Sequence, residues 1–424
     1  MKLHRNLASA VAETLLDIFA RGSLSDRATE RTLKSRPQWG ARDRAFAAAA
    51  IYDCVRWWRL LGYGIEAGDE DKISAPAVWR RLGAYLAREG HTLPDWPEFA
   101  GLDADRIRAR MNDPELPRAL RAALPDWLDG LCEREVGGSW PDLLAALNAQ
   151  APVVLRANTL KAPREAVGER LLAEGYATRP LPSGPDAPTA GALEAALLLD
   201  ERRPVTRGAA FREGWFEIQD AASQCVAPLL QVEPGMMVLD GCAGAGGKSL
   251  HLAALLQNQG RVLACDVEKG RLEELNRRAA RAGATCIETV LVSATGEDPR
   301  RGVTAAGDAE LASLSGTVSR VLVDAPCSGL GTLRRQPDIK WRLTPAFLDE
   351  VRAAQRALLE RYSALLAPEG LMVYATCSVL PSEGEEQVAW FVGNHSGFQV
   401  EHEVRLSPLD GPYDGFYMAR LRRR

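Results

Sequence analysis

The sequence predicts an α/β protein in which a doubly wound, mostly parallel sheet fills the C-terminal part, preceded by an all-α domain and a small α/β connector module. Three observations carry this. After Pro234, short apolar strands alternate with amphipathic helices, the pattern of a parallel sheet covered by helices on both faces. Between Leu7 and Leu61, apolar residues recur at helical spacing, as in Leu7, Val11, Leu15, Ile18 and Phe19, with few strand-like alternations. Residues 151–175 read as a short strand, a turn and a helix opening near Ala162–Pro163, where proline suits a first helical turn. A chain of 424 residues is too long for one ordinary core, and the expected domains are 1–140, 141–230 and 231–424.

Within the helical domain, residues 66–76 and 90–98 carry turn residues and acids and read as connections between helices. Trp57, Trp58, Trp79, Trp96 and Trp127 are expected to pack rather than to form a base-stacking platform. The stretch 180–191, rich in Pro, Gly and Ser, is a loop, and ordered structure resumes from Trp215 to Leu230. The parallel strands are expected at 236–240, 261–266, 287–292, 318–324 and 371–376. One helix opens at Thr344–Pro345 and lines a face with Val351, Leu358, Leu359, Tyr362, Leu365 and Leu366.

Bulk composition narrows the function classes. A hydrophobic fraction of 46% and a charged fraction of 25% belong to an ordinary globular chain, not a disordered or fibrous one. No apolar run approaches the ~18 residues of a membrane span, and Glu13 and Asp17 interrupt the N-terminal apolar stretch, so a cytoplasmic protein is expected. The eight cysteines form no CxxC pair, which argues against zinc and against a disulfide framework; no metal is expected. A net charge of −4 does not advertise a nucleic-acid partner. Cations nevertheless gather in residues 1–60, with 11 Lys/Arg against 6 Asp/Glu, and at Arg420, Arg422, Arg423 and Arg424; solvated helix faces account for such clusters equally well.

The first expected strand runs into Asp240, Gly241, Cys242, Ala243, Gly244, Ala245, Gly246, Gly247, Lys248 and Ser249, a glycine-rich turn that lets backbone N–H groups approach a ligand. A triphosphate-gripping loop needs glycine where Cys242 stands, and the dinucleotide pattern needs one where Ser249 stands. The second strand ends at Asp266, placed to accept hydrogen bonds from ribose hydroxyls. Glycine loop and acidic strand end suit S-adenosylmethionine, although Asp266 in this position also suits a helix cap.

The fourth and fifth strands run into Asp324-Ala325-Pro326-Cys327-Ser328-Gly329 and Thr376-Cys377-Ser378. Both thiols fall just beyond strand C-termini, where doubly wound sheets bind ligands. A single buried cysteine is ordinarily inert packing; two at corresponding strand ends, each followed by serine, point to chemistry. Methylation of a pyrimidine carbon requires such groups. C5 of cytosine is too poor a nucleophile to attack a methylsulfonium unaided, and a thiolate adding at C6 makes it enamine-like. After transfer the C5 proton leaves and the thiol is eliminated, so a nucleophile and proton-handling groups are both needed.

These residues resemble the RNA cytosine-C5 methyltransferases of the Sun/nucleolar-protein family, and within it the bacterial small-subunit rRNA enzymes with a NusB-like helical N-terminal domain. The likeness covers nearly the whole chain. It rests on VLVDAPCSGLGTLRRQPDIKW (321–341) and VYATCSVLPSEGEEQV (373–388), with weaker stretches at LRANTLK (155–161), FEIQDAASQ (216–224) and DGFYMARL (414–421). The resemblance implies a Rossmann-like domain that binds S-adenosyl-L-methionine through Asp240, Cys242, Ala243, Gly244, Ala245, Gly246, Gly247, Lys248, Asp266 and Asp324. It implies Cys377 as nucleophile, Cys327 assisting product release, Asp324 hydrogen-bonded to the cytosine ring and Lys248 nearby. In DNA cytosine methyltransferases the nucleophile follows a proline, as Cys327 does, so two assignments stand; the TCS motif favours Cys377. An RNA partner, rRNA by resemblance, and a monomer are expected.

The chain departs from the family pattern in three places. Gly244 and Ala245 replace an Ala-Pro pair, loosening the loop. Residues 292–296 lack the usual acid, with Glu297 or Asp298 as substitutes, and Glu383-Gly384-Glu385 replaces an ENE-like triplet. Arg334, Arg335, Lys340 and Arg342 follow the DAPCSG segment closely and are expected to grip phosphates beside a base splayed into the site. Two further readings stand beside this one: methylation of tRNA or another RNA, and a non-catalytic RNA-binding ribosome-assembly factor, which S-adenosylmethionine binding would separate from an enzyme.

Overall fold

A computed structural model describes residues 3–68, 73–181, 191–294 and 306–424. Most of the 180–191 loop, part of 66–76, and Glu297 and Asp298 lie outside the described residues. The chain forms two compact units, Met1–Ala149 with Leu333–Arg342, and Gln150–Thr332 with Leu343–Arg424. Among the described residues no helix is long and apolar enough to cross a membrane, and no group of three or more His, Cys, Asp or Glu could hold a metal ion.

The first unit is helical throughout its described residues, with helices reaching Trp140–Asn148. Its opening helix, Arg5–Arg21, buries Leu7, Val11, Leu15 and Ile18 and ends at Gly22, whose φ of 70° closes the last turn in the left-handed conformation. The helix Ala41–Arg56 buries Ala47, Ala50 and Ile51; small side chains let the two helices approach. Trp58 stacks on Phe19 with ring centroids 3.8 Å apart. Trp57, Trp79 and Trp96 pack against the same core, and Trp127 is half-buried.

The segment 333–342 departs from expectation. Its position in the sequence assigns it to the C-terminal domain, yet it packs as part of the helical unit. Arg56 donates to the carbonyl oxygens of Leu333 and Arg334 at 3.5 and 3.1 Å. Asp338 is buried, accepting from Ser25 Oγ at 2.8 Å, and Trp341 Nε1 donates to Val55 O at 2.7 Å. Ile339 and Trp341 carry this stretch into the apolar interior, and the cations between them follow. Lys340 is fully buried, its Nζ bonded to Asn148 Oδ1 at 3.1 Å and Ala122 O at 3.3 Å. Arg334 is buried as well and Arg335 half-buried. Arg342 is exposed but pairs with Asp338 at 3.3 Å. Arg334 and Lys340 are therefore packing residues, a correction to the phosphate-gripping expectation.

The second unit holds two sheets. Strands β1 (Val154–Ala157), β2 (Thr178–Pro180), β3 (Ala196–Leu199) and β4 (Phe216–Ile218) form an antiparallel sheet in the order β2-β3-β1-β4. The larger sheet contains β5 (Met237–Asp240), β6 (Arg261–Asp266), β7 (Ile287–Leu291), β8 (Val318–Asp324), β9 (Leu366–Thr376), β10 (Phe398–Leu406) and β11 (Phe416–Arg423), ordered β10-β11-β9-β8-β5-β6-β7. The first five are mutually parallel, while β11 runs antiparallel to β9 and β10 antiparallel to β11. The chain winds outward from β5 through β6 and β7, then returns to the other flank of β5 as β8. That reversal opens a crevice beyond the carboxyl ends of β5 and β8, where doubly wound sheets take ligands.

All five parallel strands stand where the sequence put them. The helix Pro345–Ser363 has its cap at Thr344, whose side chain accepts from Phe347 N at 3.1 Å. It stops before Leu365 and Leu366, however, and Leu366 opens β9. Leu366 pairs with Val318 and Leu371 with Arg320, so an irregularity around Glu369, with φ of 61°, absorbs the extra residues. The apolar periodicity ran on past the helix end because both leucines are buried whichever element carries them.

Burial drives the Lys340 ammonium well below the ordinary lysine value of 10.5, with the Arg56 charge adding to the effect. Just below 10.5 the unfolded chain binds the proton and the folded chain does not, so stability rises with pH in that window. Replacement Lys340→Met is expected to abolish that rise in melting temperature and to leave RNA affinity and its salt dependence unchanged. A weakened affinity with a shallower salt slope would return Lys340 to the phosphate contacts.

Candidate active site

The crevice is floored by the loop after β5. A Cβ on Gly241 would stand 2.5 Å from the Tyr362 ring, so only glycine fits, and Tyr362 OH donates to Gly241 O at 2.7 Å. Gly246 has φ of 86°, and a Cβ there would meet Leu275 at 2.5 Å. Gly244, with φ of 53°, faces open space. Its N–H donates to Asp266 Oδ2 at 2.9 Å, while Asp266 Oδ1 accepts from Glu268 N at 2.8 Å. Arg278 buttresses the loop from outside by donating to Ala245 O at 2.7 Å. The loop lacks proline, but these bonds tie it down. Asp266, expected as a ribose acceptor, uses part of its hydrogen-bonding capacity to hold the loop.

Asp240 is fully buried. Its Oδ2 accepts from Ser249 Oγ at 2.7 Å, and its Oδ1 has no hydrogen-bond partner among the described residues. Burial pushes its carboxyl up to about 7, Ser249 opposing and the Asp324 charge adding. Lys248, in the first turn of the helix Gly247–Leu255, reaches across the crevice and donates to Asp324 Oδ2 at 2.6 Å. Burial alone would lower the Lys248 ammonium; the Asp324 carboxylate, with Cys377 and Asp240, more than offsets this and raises it. Lys248 therefore stays protonated.

Beyond β8 and β9, Cys327 Sγ and Cys377 Sγ lie 3.4 Å apart. The serine after each cysteine makes the same pair of bonds. Ser328 Oγ accepts from Leu330 N at 3.3 Å and donates to Glu383 Oε2 at 2.5 Å; Ser378 Oγ accepts from Leu380 N at 3.1 Å and donates to the same Oε2 at 2.5 Å. Glu383 Oε1 accepts from Ser328 N at 2.7 Å and from Gln355 Nε2 at 3.3 Å. The hydrogen bond with Cys377, burial and the Glu383 charge raise the Cys327 thiol well above the ordinary value. Cys327 is thus a neutral thiol at neutral pH.

The structure brings together Asp240, Lys248, Asp324, Cys327 and Cys377. Cys242 lies in the loop and packs against the core that includes Leu239 and Tyr362, where burial and neighbouring acids raise its thiol. Ser328, Ser378 and Glu383 were not among the expected site residues; the repeated Cys-Ser pair was the signal that could have found them. At the end of β7, where the usual acid is missing, Asp308 from the helix Ala306–Ser313 accepts from Ser293 N at 3.1 Å and from Arg361 Nη2 at 2.5 Å.

Residues 227–422 match the family described as 16S rRNA methyltransferase RsmB/F, and residues 124–205 match the RsmF/B-like ferredoxin-like domain. A Synechocystis protein named probable ribosomal RNA small subunit methyltransferase B is 30% identical, with 96% of this chain and 97% of that one covered. The ribosomal RNA small subunit methyltransferase B of Pseudomonas putida is also 30% identical, covering 84% and 76%. Among solved structures, PH0851 shares the fold at a TM-score of 0.82, 23% identity and 99% coverage of both chains. A methyltransferase homologue from Pyrococcus horikoshii aligns at a TM-score of 0.60 and 24% identity, covering 72% of this chain and 98% of that one.

The Asp240 carboxyl supplies a pH test of this geometry. Because its folded value of about 7 exceeds the ordinary 3.8, the folded state holds the proton longer. The associated stability is full below about 3.8 and is lost as pH rises through about 7. Asp240→Asn keeps an acceptor for Ser249 and is expected to flatten the fall of melting temperature across that window; an unchanged slope would show that Asp240 is not the group responsible.

Proposed function

The chain belongs to the 16S rRNA methyltransferase RsmB/F family, and from that premise we propose that it methylates C5 of a cytosine in 16S rRNA through a covalent adduct between Cys377 and C6 of the base. At the coarser level it is an S-adenosylmethionine-dependent methyltransferase of small-subunit rRNA. The observation that carries the finer reading is the pair of thiols 3.4 Å apart at the mouth of a crevice that also holds the Lys248–Asp324 ion pair.

The crevice fits the cofactor. Gly244 to Gly247 offer backbone N–H groups at a helix start, and the orphan Oδ1 of Asp240 and the carboxylate of Asp266 are acceptors for ammonium and hydroxyl groups. S-adenosylmethionine held there supplies the methyl group for C5. The chain's own residues do the rest. Asp324, anchored by Lys248, hydrogen-bonds the cytosine ring and fixes its orientation as Cys377 adds to C6. The TCS motif assigns the attack to Cys377, and Cys327, the thiol beside it, assists as the C5 proton leaves and the C6–S bond breaks.

Labelled S-adenosylmethionine and unmethylated small-subunit RNA test this. Wild type is expected to yield 5-methylcytidine. Cys377→Ala is expected to lose more than about 10³-fold in turnover, the scale of deleting a nucleophile, and Cys327→Ala to accumulate a protein–RNA adduct on denaturing gels. Label at any other position, or full activity in Cys377→Ala, would overturn the mechanism. Label on tRNA with none on small-subunit RNA would move the substrate, and no cofactor binding by folded protein would favour the assembly-factor reading.

A further inference from the structure

The two thiols belong to turns fifty residues apart in sequence, and no covalent link fixes their separation. Backbone bonds from Ala325 N to Ala375 O and from Gly331 N to Cys377 O join the two turns, and a buried side chain, Glu383, bridges them. Glu383 is fully buried, and its bonded donors are neutral: Ser328 N and Oγ, Ser378 Oγ and Gln355 Nε2. A polar group buried this deeply is tolerable only while those donors stay in place. Both serine hydroxyls lie 2.5 Å from Oε2, and their oxygens are 3.2 Å from each other. Because each Oγ also accepts the backbone N–H two residues on, the carboxylate fixes the shape of both turns at once.

Glu383 itself is held to the sheet. Its backbone carbonyl accepts from Tyr374 OH at 2.9 Å and from Thr376 Oγ1 at 3.1 Å, both on β9. Gln355 completes the frame by donating to Pro326 O, the residue before Cys327, at 2.9 Å. The next residue, Gly384, is needed at this point, since a Cβ would stand 2.8 Å from the Tyr417 ring. Sheet, carboxylate and both cysteine turns thus form one hydrogen-bonded frame.

We propose that Glu383 is the positioning residue that sets the Cys327–Cys377 separation, and that it governs release of the covalent intermediate rather than binding of RNA or cofactor. Its effect on turnover rests on the covalent reading above; its effect on thiol geometry does not. Phenylarsine oxide reads that geometry directly, since its arsenic exchanges one oxygen for two nearby thiol sulfurs, and the two thiol protons leave with that oxygen as water. The folded full-length protein is expected to retain one arsenical, and Cys327→Ala or Cys377→Ala to retain none.

Glu383→Gln, with its oxygen in the place of Oε2, turns an amide NH2 toward the Ser328 N–H and Gln355 Nε2 donors that Oε1 accepts. It is expected to bridge the arsenical at least about tenfold more slowly and to lose about 10²-fold in kcat, the cost of an ångström-scale displacement. KM for RNA and Kd for S-adenosylmethionine stay unchanged, and the protein–RNA adduct accumulates. Ser378→Ala is expected to show the same split more weakly, and it carries the test if Glu383→Gln does not fold. Bridging and kcat at wild-type values in folded Glu383→Gln would overturn the proposal, as would a loss confined to KM or cofactor Kd. Slow bridging in Glu383→Gln beside a wild type that makes no 5-methylcytidine would sink the covalent reading and leave the positioning role standing.

Discussion

The hydrogen bonds from Ser328 and Ser378 to Glu383 join parts of the second unit that the chain brings together only by folding completely. One turn leaves β8, the other leaves β9, and the carboxylate comes from the segment that follows. The same junction reaches a third strand. Gly331 N donates to Cys377 O at 3.0 Å and Gly331 O accepts from Gly415 N at 2.9 Å, just before β11. The backbones approach so closely that a Cβ on Gly331 would stand 1.9 Å from Gly415 O. A site built this way is preorganised by the scaffold, which is where electrostatic and proximity effects in catalysis originate.

The electrostatics of the crevice follow from the ends of β5, β6 and β8, each of which places an aspartate there. Asp324 is neutralised by Lys248, Asp266 is satisfied by backbone N–H groups of its own loop and helix, and Asp240 is left desolvated with its carboxyl raised. Three acids against one lysine suit a cofactor that carries a sulfonium and an ammonium. The charge and hydrogen bond of Asp324, with Cys377 and Asp240, also hold the Lys248 proton in place, so Asp324 keeps a fixed partner as a base enters.

Much of this was legible in the sequence because parallel strands buried on both faces leave unbroken apolar runs, and because glycine loops and strand-end acids are local signals. Asp240, Asp266, Asp324 and both cysteines were all readable in that way. The antiparallel pair β10 and β11 was not expected: β10 is a largely half-buried outer strand, whose mixed composition resembles a surface segment. Lys340 and Arg334 misled for a different reason. A run of cations reads as surface, and only the tertiary packing of Ile339 and Trp341 reveals that it is carried inside. Glu383 was visible as a letter in an acidic triplet, but its role as the shared acceptor of two serines depends on contacts fifty-five and five residues away.

The central claim is that Cys377 forms the bond to the base. It is tested most directly with small-subunit RNA carrying 5-fluorocytidine, in which fluorine replaces the C5 proton whose loss releases the enzyme. After incubation with S-adenosylmethionine, the protein is digested and the modified peptide identified by mass spectrometry. The account predicts a fluoropyrimidine nucleotide carrying the transferred methyl group and attached to Cys377. Attachment to Cys327, or no adduct from protein that binds both cofactor and RNA, would contradict it.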